Sequence, residues 1–157
     1  MEVSGFKHED NASCAIATSE GTRAWVGLDT NPGIVVQIDL TTMRKTALLE
    51  LNPGEDGVSK AAIDPADRYG YFLVNSAPPR LLRIDLATFT RAGHYDFPAD
   101  EAPDVLLMDP ARPYRYAGIR ARPGKVVRLD LATFTRKDDR ENRHGSRRQY
   151  PLRRWLF

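Results

Sequence analysis

The sequence predicts an all-β fold of β-propeller-like, four-stranded antiparallel blades: about three repeats of 45–46 residues forming an incomplete ring. Three observations predict it. First, Leu81-Leu82-Arg83-Ile84-Asp85-Leu86-Ala87-Thr88-Phe89-Thr90-Arg91 returns 45 residues later as Val126-Val127-Arg128-Leu129-Asp130-Leu131-Ala132-Thr133-Phe134-Thr135-Arg136. A looser copy, Val35-Val36-Gln37-Ile38-Asp39-Leu40-Thr41-Thr42-Met43-Arg44-Lys45, stands 46 residues before it. Self-similarity at such a period marks a repeat architecture. Second, each copy holds four short apolar or alternating segments separated by turn residues, which is the blade unit of a propeller. Third, no stretch carries a sustained apolar stripe at the 3.6-residue helical period.

In the middle copy, Ser59 to Ile63 is a short first strand of small and apolar residues. Asp64-Pro65-Ala66-Asp67 follows as a turn, in which proline presets φ and aspartate accepts from nearby backbone N–H groups. Tyr69 to Val74 is aromatic and β-branched, the composition of a second strand. Asn75-Ser76-Ala77-Pro78-Pro79 is a loop, because adjacent prolines cannot donate to a central ladder. Leu81 to Leu86 is the third strand, with Leu82, Ile84 and Leu86 on one face and Arg83 and Asp85 on the other. Ala87-Thr88-Phe89-Thr90 turns the chain, and Arg91 to Phe97 alternates as the fourth strand.

The repeats place residues 1–136 in the propeller part, with a partial blade at 1–10 and blades at about 11–56, 57–101 and 102–136. Glu9-Asp10-Asn11 aligns under Glu55-Asp56-Gly57, so the chain is expected to begin in the fourth strand of a preceding blade. After Arg136, Lys137-Asp138-Asp139-Arg140-Glu141-Asn142 shows no alternation and no β-formers, and residues 137–157 read as a basic, disordered tail. A propeller has roughly four to eight blades, so three alone do not close a ring.

Bulk composition narrows the function classes. The 157 residues are 41% hydrophobic and 28% charged, which is a globular composition. No apolar run approaches the roughly 20 residues of a membrane-spanning helix. The first ten residues lack the basic start and apolar centre of a signal peptide. The default compartment is therefore cytoplasmic, or secreted if a leader precedes the sequence. Cys14 stands alone, which excludes an internal disulfide and a thiolate metal site. The net charge of +2 divides into −3 over residues 1–135 and +5 over the last 22 residues.

Tyr71-Phe72-Leu73-Val74-Asn75 followed by Leu82-Arg83-Ile84-Asp85-Leu86-Ala87-Thr88 resembles the YVTN-type repeat, with its Tyr-x-x-Asn strand and Val-x-Ile-Asp-x-x-Thr strand. The similarity covers about residues 1–136. It departs at Asn75, which lies four residues after Tyr71 rather than three, and Trp25 and Tyr116 lack the following Asn. The resemblance implies a seven-bladed propeller, often secreted or on the cell surface. Its distant relatives include lactonases, amine dehydrogenase subunits and haem-containing reductases. None of their ligands can be placed on residues of this chain, so the resemblance implies no catalytic residue, cofactor or metal here.

The residues themselves point the same way. Asp39, Asp85 and Asp130 recur with Thr88 and Thr133, and an Asp with a Thr three residues on is turn chemistry. A residue present in every copy serves the copy's own fold, so these carboxylates are read as structural rather than cation-binding. Trp25, Tyr71 and Tyr116 recur at blade spacing and are read as packing between blades. His8, His94 and His144 have no zinc-binding spacing. No nucleophile elbow, phosphate loop or dinucleotide fingerprint is present. The expected function is a non-catalytic binding or structural scaffold, completed by self-association or by further blades; its protein or small-molecule ligand is unspecified. Two alternatives stand beside it. One is a lactonase-like, metal-dependent hydrolase. The other is nucleic-acid binding through the tail, with Arg147, Arg148, Arg153 and Arg154 beside Tyr150 and Trp155 as polyanion contacts. Against the second are Asp138, Asp139, Glu141 and the absence of any nucleic-acid-binding module.

Overall fold

A computed structural model of the chain describes residues 11–137, apart from Pro110, Pro113 and Leu131. Three antiparallel sheets follow one another along the sequence, each a meander of four strands in chain order. Blade 1 holds β1 (Ala12–Ala17), β2 (Arg23–Leu28), β3 (Ile34–Asp39) and β4 (Arg44–Glu50). Blade 2 holds β5 (Val58–Ile63), β6 (Tyr69–Val74), β7 (Arg80–Asp85) and β8 (Thr90–Asp96). Blade 3 holds β9 (Pro103–Met108), β10 (Tyr114–Ile119), β11 (Lys125–Asp130) and β12 (Thr135–Lys137). No helix occurs among the described residues. The expected third and fourth strands of the middle unit are shifted by one residue, which moves no side chain to the other face.

The last strand, β12, runs to Lys137 and pairs with β11 through Asp130↔Thr135, Leu129↔Arg136 and Arg128↔Lys137. Local propensity is outweighed here by tertiary anchoring: Arg136 donates to both carboxylate oxygens of Glu101 at 3.0 Å. Lys137 Nζ also lies 3.7 Å from Asp130.

Each strand turns side chains to alternate faces, and in this stack both faces are used. On β7, Leu82 and Ile84 join Trp25, Val35 and Phe72 in a core between blades 1 and 2. Leu81 points the other way, into a second core with Tyr71, Leu73, Val127 and Leu129 between blades 2 and 3. Burying such a side chain is worth about 1.5–3 kcal/mol, so most of the fold's stability resides between the sheets. The first strands abut along one edge, where Ser13 Oγ of β1 donates to the carbonyl of Val58 at the start of β5. Ser19 N and Oγ reach across to Asp67 Oδ2 at 2.7 and 2.6 Å.

The change of period from 46 to 45 has a definite place. The linker between blades 1 and 2 is residues 51–57, whereas that between blades 2 and 3 is residues 97–102. Glu55 N donates to Asn52 O and Glu101 N to Pro98 O, so the two glutamates correspond. The residue missing from the second linker is therefore the counterpart of Asp56 or Gly57, for which Ala102 stands alone.

Candidate functional surfaces

The repeated aspartates lie at the turns between third and fourth strands, each in its own blade. Asp39 Oδ1 accepts from Thr41 N (2.8 Å), Thr42 N (2.9 Å) and Thr41 Oγ (2.6 Å). Asp85 Oδ1 accepts from Ala87 N (3.0 Å) and Thr88 N (3.1 Å), and Asp130 Oδ1 from Ala132 N (2.9 Å) and Thr133 N (3.1 Å). These bonds hold all three carboxyls below the usual Asp range, led by the Thr41 hydroxyl at Asp39 and by the Thr88 and Thr133 N–H groups at the other two. Thr88 Oγ1 and Thr133 Oγ1 pair at 2.7 Å with Thr90 and Thr135. One oxygen of each carboxylate is thus committed to its own turn. Among the described residues, no three acidic, His or Cys side chains converge on a metal-sized site.

A feature that sequence reasoning missed follows each aspartate. Met43, Phe89 and Phe134 adopt φ of 52°, 53° and 54°, the left-handed region that bulky residues avoid. For the two phenylalanines the strain is offset by contact with the preceding blade. Phe89 packs on the core between blades 1 and 2, and Phe134 lies 6.1 Å from the Tyr71 ring.

The linker glutamates were missed as well. Glu55, 2% exposed, receives Arg91 through both carboxylate oxygens and Arg80 Nη1 at 2.7 Å. Burial opposes its ionisation, but the bonds from Arg91, Arg80 and Asn52 N–H outweigh that and pull its pKa to about 2. Glu101 makes the equivalent bond to Arg136. The alignment of Glu9 with Glu55 was the available signal; the partners of Glu55 and Glu101, 25 to 36 residues away, carry no local pattern.

The recurring aromatics separate. Trp25 is 0% and Tyr71 1% exposed, each between two blades, whereas Tyr116 is half-buried. Tyr116 shares a face with Leu107 and Arg128 through the registers of β9, β10 and β11, and Val105, Gly118 and Val126 form the next row. Val105, Leu107 and Val126 are 57%, 61% and 62% exposed. At the position of Val126, Val35 and Leu81 are both 0% exposed. The position that the next blade covers in the first two units therefore lies open on blade 3, beside exposed Val105 and Leu107. The opposite end of the stack differs, since Leu28, Val36 and Ile38 of blade 1 are buried.

Cys14 lies on β1, and burial pushes its thiol pKa up, away from the reactive thiolate. His94 is half exposed, 3.9 Å from Asp96. His8, His144, Arg147, Arg148, Arg153 and Arg154 lie outside the described residues.

Similarity to solved structures accords with this geometry. The chain superposes on the RRP9 WD40 repeats with a TM-score of 0.70 at 12% identity, covering 84% of this chain and 39% of that one. The fold is a β-propeller. A dihydro-heme d1 dehydrogenase, NirN, aligns with a TM-score of 0.66 at 12% identity over 79% of this chain and 27% of its own. Kuenenia stuttgartiensis hydrazine synthase aligns with a TM-score of 0.60 at 15% identity, over 74% of this chain and 41% of its own. This propeller chain thus spans about two fifths or less of each of these relatives. No family model and no curated protein matches its sequence. No helix among the described residues is long and apolar enough to cross a membrane.

Proposed function

We propose that this chain is a non-catalytic β-propeller module with a YVTN-type repeat, acting as a binding or structural scaffold. The observation that carries the reading is the open face of blade 3. Val105, Leu107 and Val126 stand in water, and at the position of Val126 both counterparts, Val35 and Leu81, are buried against a following blade. A contiguous aliphatic face of this kind favours association. The edge it flanks offers unpaired backbone groups that favour it further. Self-association or docking of further blades would cover it. The bonding of one carboxylate oxygen of each repeated aspartate within its own turn supports the structural reading of these residues.

Light scattering coupled to size exclusion tests this. The wild-type chain is expected to associate at micromolar concentration. The double substitution Val105→Lys, Leu107→Lys is expected to return it to the 17.7 kDa monomer. A well-folded wild-type monomer would refute the scaffold reading.

A further inference from the structure

In a repeat protein, residues common to all copies maintain the fold, and departures from the repeat mark what one copy does alone. Three departures meet at one place. The residue following the second strand is Asp29, Asn75 and then Arg120. The second residue of the first strand is Ser13, Ser59 and then Asp104. The linker into blade 3 is one residue shorter, with Ala102 alone where blade 2 has Asp56 and Gly57. Between blades 1 and 2, Asn75 N donates to both Asp56 O (2.9 Å) and Gly57 O (3.1 Å); between blades 2 and 3, Arg120 N donates to Ala102 O alone at 2.8 Å.

These sites line one cleft of about 390 Å³ between blades 2 and 3, together with Ser59, Asn75 and Ser76. That volume is within the range of small-molecule sites. Its charges are unequal. Asp104 Oδ1 lies 3.4 Å from Lys60 Nζ, so that carboxylate already has a counterion. Among the described residues, no carboxylate lies within ion-pair distance of the Arg120 guanidinium. Among the described groups one positive charge is left over, on the exposed Arg120, beside neutral groups that exchange hydrogen bonds. Ser59 Oγ makes only a long bond, 3.3 Å to Leu73 O, while Ser76 Oγ donates to Pro78 O at 2.6 Å and keeps its lone pairs. A guanidinium fork matches a carboxylate or phosphate group with two parallel hydrogen bonds.

We propose that this cleft binds a small, hydroxyl-bearing oxyanion, a carboxylate or a phosphate ester, with Arg120 on the oxyanion and Ser59, Asn75 and Ser76 on the hydroxyls. The site is internal to one chain, so it stands whether or not the open face of blade 3 associates.

Backbone amide spectra of the full chain test it with four probes: glycerate, glycerol 1-phosphate, acetate and glycerol. Glycerate or glycerol phosphate should give saturable shifts at Asn75, Ser76, Asp104 and Arg120, and the tighter of the two identifies the oxyanion. Acetate should bind more weakly and glycerol not at all. Arg120→Asn, which installs the residue found at position 75, should weaken binding at least about tenfold. Arg112→Asn, at an exposed arginine in a turn, should leave it unchanged. Shifts that persist in Arg120→Asn, that vanish equally in Arg112→Asn, or that fail to appear at all with millimolar probe would overturn the assignment.

Discussion

The two blade interfaces solve one packing problem in opposite ways. Between blades 1 and 2, Gly70 leaves no room for more: a Cβ there would sit 2.8 Å from Phe72, 2.9 Å from Ile16 and 3.0 Å from Leu86. Between blades 2 and 3, the same position is Arg115, 0% exposed, its guanidinium 3.6 Å from the Tyr71 ring centroid. The counterparts of Ile16 and Phe72 are Ala62 and Ala117, so two large side chains have become small where one small residue has become large. Volume is conserved while polarity is not. The Arg115 nitrogens have no hydrogen-bond acceptor, and burial lowers the pKa of the guanidinium against the pull of Tyr71. A blade boundary therefore demands a filled space more strictly than an apolar one.

The linker glutamates extend the comparison and yield its largest expected effect. Glu55 is bonded by two arginines, Arg80 and Arg91. In blade 3, Lys125 stands in the place of Arg80. Glu55→Gln is therefore expected to cost about 3 kcal/mol at neutral pH, from a carboxyl held near 2 against 4.5 when unfolded. Glu101→Gln should cost only about 1–2 kcal/mol. Because the folded pKa is the lower one, the Glu55 contribution is complete above pH 4.5 and disappears as the pH falls through 2. Urea melts across that range should show the wild type losing its advantage over Glu55→Gln; a pH-independent gap would contradict the ion-pair account.

The packing contrast predicts the next two effects. Gly70→Ala should destabilise by about 1–3 kcal/mol, since the added methyl overfills the first interface. Arg115→Met should be neutral or stabilising, since an unpaired buried charge is exchanged for an apolar chain of similar length. Thermal melts of both variants sharpen the comparison. A large loss from Arg115→Met would mean that the contact with Tyr71 holds the second interface together.

Much of this fold was legible because the signal is repetition. The period placed all three units, alternation placed the strands, and the Asp-x-x-Thr spacing located the third-to-fourth-strand turns. What escaped had no local signature. The Glu55 latch joins residues 25 and 36 positions apart. Phe89 and Phe134 read as ordinary turn neighbours, and bulky residue types give no sign of a left-handed backbone. Nothing local in the sequence marks Arg115 as buried. Val35, Leu81 and Val126 show the limit most plainly: three aliphatic residues at one repeat position, two buried and one open, because burial there depends on the following blade and not on the residue.

That position supplies the most direct test. Val35→Lys, Leu81→Lys and Val126→Lys place the same charge at one site in three blades, and their thermal unfolding can be compared in a single experiment. Val35→Lys and Leu81→Lys should unfold the chain or cost at least about 3 kcal/mol, because each buries an unpaired ammonium. Val126→Lys should stay within about 0.5 kcal/mol of the wild type, as an exposed substitution does. If Val126→Lys is as damaging as the other two, the face of blade 3 is covered and the account of an open docking surface is wrong.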